Sequence, residues 1–375
     1  MFWLPIMTIY FLRKGFSLTE ILALVSIQFA FQIIFEVPSG IFSDFYGRKK
    51  TLIISAVMFI LGLLMYVFTN EFAPYILASV FIGASQAFLS GSDSSLIYDS
   101  LKSLKREDEY KKIEGRAYAF QLAALGTAGF VGGFLTKINI SLPLLLHAIA
   151  IGVSVLILLS MKEPPQYTTS TERNYFKHLK IAIKFSWNHP RIKWIIIFYS
   201  AMMTSMLISH RLFQPYMEGI GIDVSYFGII YLVWLLFCAL VARYAHKIES
   251  KIGVFYSLLI ISIFASLPLI FAGISPSIYI ILILFFSEFA FGFAKPVIYE
   301  YINKHVESHN RATILSLNGF FQSMLLVIFS PIIGYLTDTI SLNTALIWQG
   351  AITFLVGVIF TVIIANSKED KSQSI

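Results

Sequence analysis

The sequence predicts an all-α integral membrane protein, and three observations carry that prediction. Apolar residues make up 57% of the 375-residue chain and charged residues only 13%, against about 25% charged in soluble domains. Uninterrupted apolar runs of about twenty residues recur from end to end, the length a helix needs to cross the hydrocarbon core. These runs are continuous, whereas a transmembrane sheet alternates apolar and polar residues in segments of about ten. Helices therefore satisfy the backbone in lipid.

Taken in order, residues 1–12 read as the outer half of a first helix whose beginning lies upstream, since they cover about 18 Å at 1.5 Å per residue. Full spans follow at 19–42, 51–69, 74–100, 113–136, 142–161, 192–215, 224–246, 252–273, 277–302, 312–337 and 342–366. The longest connection falls between the sixth and seventh spans of this count. The expected organisation is an N-terminal helical bundle at 1–161, a central loop at 162–191 and a C-terminal bundle at 192–375. Within that loop Arg173, Lys177, Lys180 and Lys184 recur on one helical side, with Tyr175, Phe176, Leu179, Ile183 and Trp187 on the other. That pattern predicts an amphipathic helix lying on the inner leaflet.

The net charge of +7 is a topology signal. If the turn at 43–50 is cytoplasmic, about 23 of the 28 basic residues gather on that side by the positive-inside count. The C-terminus is then cytoplasmic too, in a multi-pass protein of the cell (inner) membrane. A nucleic-acid partner is not expected. Cys238 is the sole cysteine, so no intrachain disulfide is expected. No Walker A loop, HExxH or nucleophile elbow occurs, which argues against an enzyme or an ATP-driven pump. His305 and His309 have metal-clip spacing but no third ligand, and no metal or other cofactor is expected.

The two halves repeat one another. "SGSDSSLIYDSL" at 90–101 aligns without a gap on "FGFAKPVIYEYI" at 291–302, matching Gly91 with Gly292 and Ile97-Tyr98-Asp99 with Ile298-Tyr299-Glu300. Arg116 matches Arg311, and "GGFLTKI" at 132–138 pairs with "IGYLTDT" at 333–339. Parallel repeats mark transporters that rock one half against the other.

Between the second and third spans lies "SGIFSDFYGRKKTL", residues 39–52. Gly47 permits a tight turn, Asp44 is placed to accept bonds from amides at a helix start, and Arg48, Lys49 and Lys50 pin the turn to anionic lipid. This stretch, with Gly40, Asp44, Gly47, Arg48 and Lys49 filling each position, resembles the signature loop of the major facilitator superfamily. The resemblance covers nearly the whole chain, including "NRATILSL" opening the eleventh span. It implies two pseudo-symmetric six-helix bundles and a charge-relay latch at Asp44 and Arg48 that stabilises the outward-facing state. The chain departs from the family at two places. Ser79 stands where the fourth-span motif has an arginine, and "AGFVGG" carries Ala128 and Gly129 where an antiporter has Gly-Pro.

Ionisable groups within spans are costly, point inward and are candidate sites. Asp93, Glu288 and Glu36 are candidates to exchange a proton, with Lys295 sharing a face of the tenth span with Glu288. The competing reading is a gate of static ion pairs, Lys295 with Asp93 and Arg116 with Asp99, with Glu300 and Arg311 at the matching edge of the second repeat. Gln28, Gln32, His210, Arg211, Tyr231, Trp234, Asn318 and Gln322 are candidates to line a substrate cavity.

The function expected is secondary active transport by alternating access: proton-coupled efflux of an amphipathic small molecule by a monomer in the bilayer, with the proton gradient as energy source. Proton-linked uptake or export of a polar or anionic solute such as a siderophore is the alternative, from Arg211 with His210. A transport-inactive membrane receptor or scaffold is the alternative of another class.

Overall fold

The computed structural model describes residues 1–165, 189–306 and 308–367, apart from the side chains of 190, 308–310, 312 and 313. It is all-helical, with no strand among the described residues. The helices in chain order are α1 (Met7–Arg13), α2 (Leu18–Tyr46), α3 (Arg48–Phe68), α4 (Phe72–Leu89), α5 (Ser92–Ser103), α6 (Tyr110–Leu135) and α7 (Leu142–Ser160). They continue with α8 (Pro190–Gly219), α9 (Phe227–Ile274), α10 (Ile280–His305), α11 (Ser308–Thr339) and α12 (Leu342–Asn366). Among the described residues ten helical stretches are long and apolar enough to cross a membrane. One of them, α9, is two helices joined at Gly253, whose φ of 78° is non-helical, so the eleven spans expected from sequence are all present. The amphipathic stretch of the central loop lies outside the described residues.

The described residues fall into two compact units, Met1–Glu172 with Asp223–Leu232 and Arg173–Ile222 with Val233–Ile375. In the first, α2 starts on a reciprocal cap. The Ser17 hydroxyl accepts from the Glu20 amide at 3.2 Å while the Glu20 carboxylate accepts from the Ser17 amide at 2.9 Å, satisfying two orphan donors. Helices α2 and α4 come close at Gly83, where any Cβ would collide with the Gln28 carbonyl. An aromatic cluster of Phe11, Tyr66 and Tyr75 fills one end of the unit, with ring centroids 4.9–5.5 Å apart. Ser79 belongs to this cluster: it is fully buried and its hydroxyl lies 2.8 Å from the Tyr66 hydroxyl. A buried partner for a tyrosine therefore occupies the position where the resemblance called for arginine.

The glycines of α6 act as the small-residue pattern predicts. A Cβ at Gly129 would touch Pro5 and Tyr231, and one at Gly133 would collide with Ser225 and Gly228. The short segment before α9 is capped by Asp223. The Ser225 hydroxyl and amide both donate to its carboxylate, and these bonds hold the Asp223 carboxyl below its usual range.

In the second unit α8 is the central post. Its apolar residues Ile195, Phe198, Met202 and Met206 are buried among Phe293, Ala294, Ile298 and Leu317. Its small polar residues clip it to the neighbours. Ser200 donates to Asn318 Oδ1 at 3.1 Å, Thr204 to the Gln322 carbonyl at 3.4 Å, and Ser205 lies 2.6 Å from the Thr353 hydroxyl. The Gln349 amide donates to Ser209 Oγ at 2.9 Å. In lipid, hydrogen bonds and close contact rather than water exclusion hold helices together, and α8 uses both.

Candidate functional site

The signature loop is built from chain geometry first. Helix α2 stops at Gly47 (φ 98°, ψ 160°), a backbone region essentially reserved for glycine, and α3 starts at the next residue. Asp44 therefore lies in the last turn of α2. It makes an ion pair across the turn: Arg48 Nη2 lies 3.1 Å from Asp44 Oδ1. The same guanidinium donates to Ser43 Oγ at 2.6 Å and approaches Asp99 Oδ2 on α5 at 3.8 Å. Asp99 thus takes Arg48, and not the expected Arg116, which is exposed on α6.

The start of α3 is capped by a residue the sequence reading missed. Glu163, just beyond α7, accepts from the Lys49 amide with both carboxylate oxygens, at 3.2 and 3.1 Å. The Lys49 ammonium in turn donates to the carbonyls of Leu159 and Met161 at 2.9 and 2.6 Å. A carboxylate thus sits at the amino end of α3 and an ammonium at the carboxyl end of α7, each favoured by the helix dipole it meets. A Cβ at Gly47 would come within 2.6 Å of the Glu163 carboxyl, so a larger residue there would displace that cap. Gly40 faces open space.

Elsewhere in the first unit, Glu36 accepts from Ser90 Oγ at 3.3 Å beside the break between α4 and α5. Asp93 is exposed in the first turn of α5, its carboxylate accepting from the Ser94 amide at 2.8 Å. Gln28 is buried against α4 and Gln32 half-buried. Tyr231 packs on Gly129.

The second unit holds the one carboxylate that is deeply buried among the described residues. Glu288 is 4% exposed, and its Oε1 lies 2.7 Å from His210 Nε2 on α8. Helix α10 has 26 residues, about 39 Å of rise, so Glu288 and Lys295 both lie within about 7 Å of its midpoint. The pair is walled by aromatics: His210 lies 5.3 Å from the Phe291 ring and 6.3 Å from Phe213, and Phe213 meets Trp234 edge-on at 6.0 Å. Trp234 is buried with its indole N–H unpartnered, and Cys238 lies within electrostatic reach of the carboxylate. About three turns away, Tyr199 meets Tyr299 at 5.9 Å. Both contacts follow from α8 and α10 running antiparallel side by side, so positions far apart in sequence fall opposite one another. That pairing is what the sequence reading, with Glu288 and His210 as separate candidates, did not contain.

Lys295 is exposed, its ammonium 5.5 Å from the centre of the Tyr299 ring. Glu300 pairs with Lys304 at 2.6 Å, and Arg311 donates to the Val306 carbonyl at 2.9 Å, closing the end of α10. Asn318 is buried on Ser200, Gln322 is half-buried, and Arg211 lies half-buried beside His210. Among the described residues no group of three potential metal ligands occurs.

The chain is similar to known proteins along its whole length. It is 23% identical to the MFS-type transporter YxaM of Bacillus subtilis, over 98% of this chain and 92% of the relative. It is also 23% identical to Multidrug resistance protein 2 of the same organism, over 90% and 84%. Among solved structures, the nucleoside transporter NupG superposes with a TM-score of 0.81 at 15% identity, over 98% of this chain and 95% of that one. The D-xylose-proton symporter follows with 0.71 at 13%, over 96% and 92%. The description Major Facilitator Superfamily matches residues 1–330, and the chain, a multi-pass secondary transporter and not an enzyme, belongs to that family.

Proposed function

We propose that this protein is a proton-coupled exporter of amphipathic small molecules, with the Glu288–His210 pair as its proton carrier. The observation that carries the reading is the burial of Glu288 near the middle of α10, hydrogen-bonded to half-buried His210 of α8. A carboxyl at such depth is functional by default, and this one is hydrogen-bonded to an imidazole that can relay its proton. In the first unit Glu36 accepts from a serine and Asp93 is exposed in a helix's first turn, and in this reading both are architectural. The likeness to a multidrug resistance protein and the aromatic wall around His210 favour export of an amphipathic, ring-bearing cargo. In this reading the Asp44 turn faces the cytoplasm of the cell membrane, the protein works as a monomer without a bound cofactor, and its latch biases alternating access.

The test uses host cells expressing the protein and loaded with Hoechst 33342, ethidium or fluorescein (the last as its diacetate). Energised cells should retain at least threefold less of one dye than control cells. A protonophore, or Glu288→Gln at equal expression, should abolish the difference. Export by Glu288→Gln that still follows the proton gradient removes this carboxyl from the mechanism.

A further inference from the structure

We infer that Lys295 and Tyr299 form an anion-recognition site in the second unit, so that the cargo of the exporter proposed above is an amphipathic organic anion; the inference rests on that transport reading. Lys295 lies within about 4 Å of the midpoint of α10 by helix rise, and it is exposed. A charged side chain at that depth is expensive in lipid and stands where it meets water or a partner charge. Among the described residues Lys295 makes no ion pair, and its contact is the face of the Tyr299 ring. The nearest carboxylate on its own helical face, Glu288, is committed to His210 at 2.7 Å and is buried. Glu300, beyond Tyr299, is taken by Lys304.

Three features give this lysine the character of a recognition group. Tyr299 holds the ammonium and is itself seated on Tyr199 of α8. Tyr299 one turn on and Phe291 one turn back share its helical face, which suits a flat apolar body. The repeat does not require the charge either, because the residue aligned with Lys295 in the first half is Ser94. What fits is a carboxylate, sulfonate or phosphate carried on an aromatic or aliphatic frame.

The experiment is equilibrium binding to the purified full chain in detergent, with fluorescein and rhodamine 123 as probes that share a xanthene body but carry opposite charge. The expected result is fluorescein bound at least tenfold tighter than rhodamine 123. Lys295→Gln should weaken fluorescein at least tenfold, Lys295→Arg should stay within threefold, and Lys295→Glu should turn the preference to rhodamine 123. Thermal melts check that each variant folds; if Lys295→Gln does not, Lys295→Arg and the charge preference of the unaltered protein decide. Equal affinity for the two dyes, no fluorescein binding, or unchanged affinity in Lys295→Gln overturns the site. Binding needs no gradient. A protein that binds fluorescein through Lys295 but exports nothing on a proton gradient loses its proton coupling and keeps its anion site.

Discussion

Residues 90–101 and 291–302 align in sequence and differ in structure. At Gly91 the chain turns left-handed (φ 72°) and breaks the fourth span into α4 and α5. At the matching Gly292 the helix runs on unbroken, and the glycine serves a close crossing in which a Cβ would meet the Cys238 carbonyl at 2.5 Å. One glycine is present for its backbone freedom and the other for its missing side chain. The acids diverge in the same way. Asp99 reaches a guanidinium on another helix, whereas Glu300 pairs with a lysine one turn along its own. Even the tyrosines differ, Tyr98 meeting Tyr110 and Tyr299 meeting Tyr199. Repeated residues keep their place in the fold while their neighbours decide what they do.

That contrast can be broken or sharpened by substitution. The largest effect is expected at Gly292→Ala, which should lower the thermal stability of the purified protein by about 1–3 kcal/mol as α9 and α10 are forced apart. Gly91→Ala should cost about 1–2 kcal/mol, the left-handed penalty of an L residue, and Gly91→Asn clearly less, because asparagine tolerates that region. Nothing lies within 4 Å of a Cβ at Gly91, so the loss there is conformational. If asparagine rescued position 292, or failed to do better than alanine at 91, the assignment of the two glycines would be reversed. The smallest effects concern the acids. Asp99→Ala should cost about 1 kcal/mol, since Arg48 keeps Asp44 and Ser43, and Glu300→Ala only about 0.3–0.5 kcal/mol, as for exposed pairs one helical turn apart. Equal losses in chemical or thermal denaturation would remove the distinction.

The glycine-rich turn at 47, the α6 seam and the span boundaries were legible because each depends on local chemistry: an unusual φ, a small side chain, an apolar run of membrane length. Glu163 was not legible, as nothing in "MKEPP" marks it as the cap of a helix begun 114 residues earlier. Nor was the pairing of His210 with Glu288, although both had been singled out as ionisable groups within spans. Ser79 was visible only as a missing arginine, and the buried Tyr66 hydroxyl supplies its reason.

Hydropathy and charge alone, then, determined a polytopic helical protein, the order of its spans and the residues too polar for lipid. Lipid is so poor a solvent for exposed backbone and charge that it imposes those features on any chain crossing it. Which polar groups face one another was decided only when the helices packed. A helix fixes the direction of each side chain but not its partner, and partners here stand dozens of residues away on antiparallel neighbours.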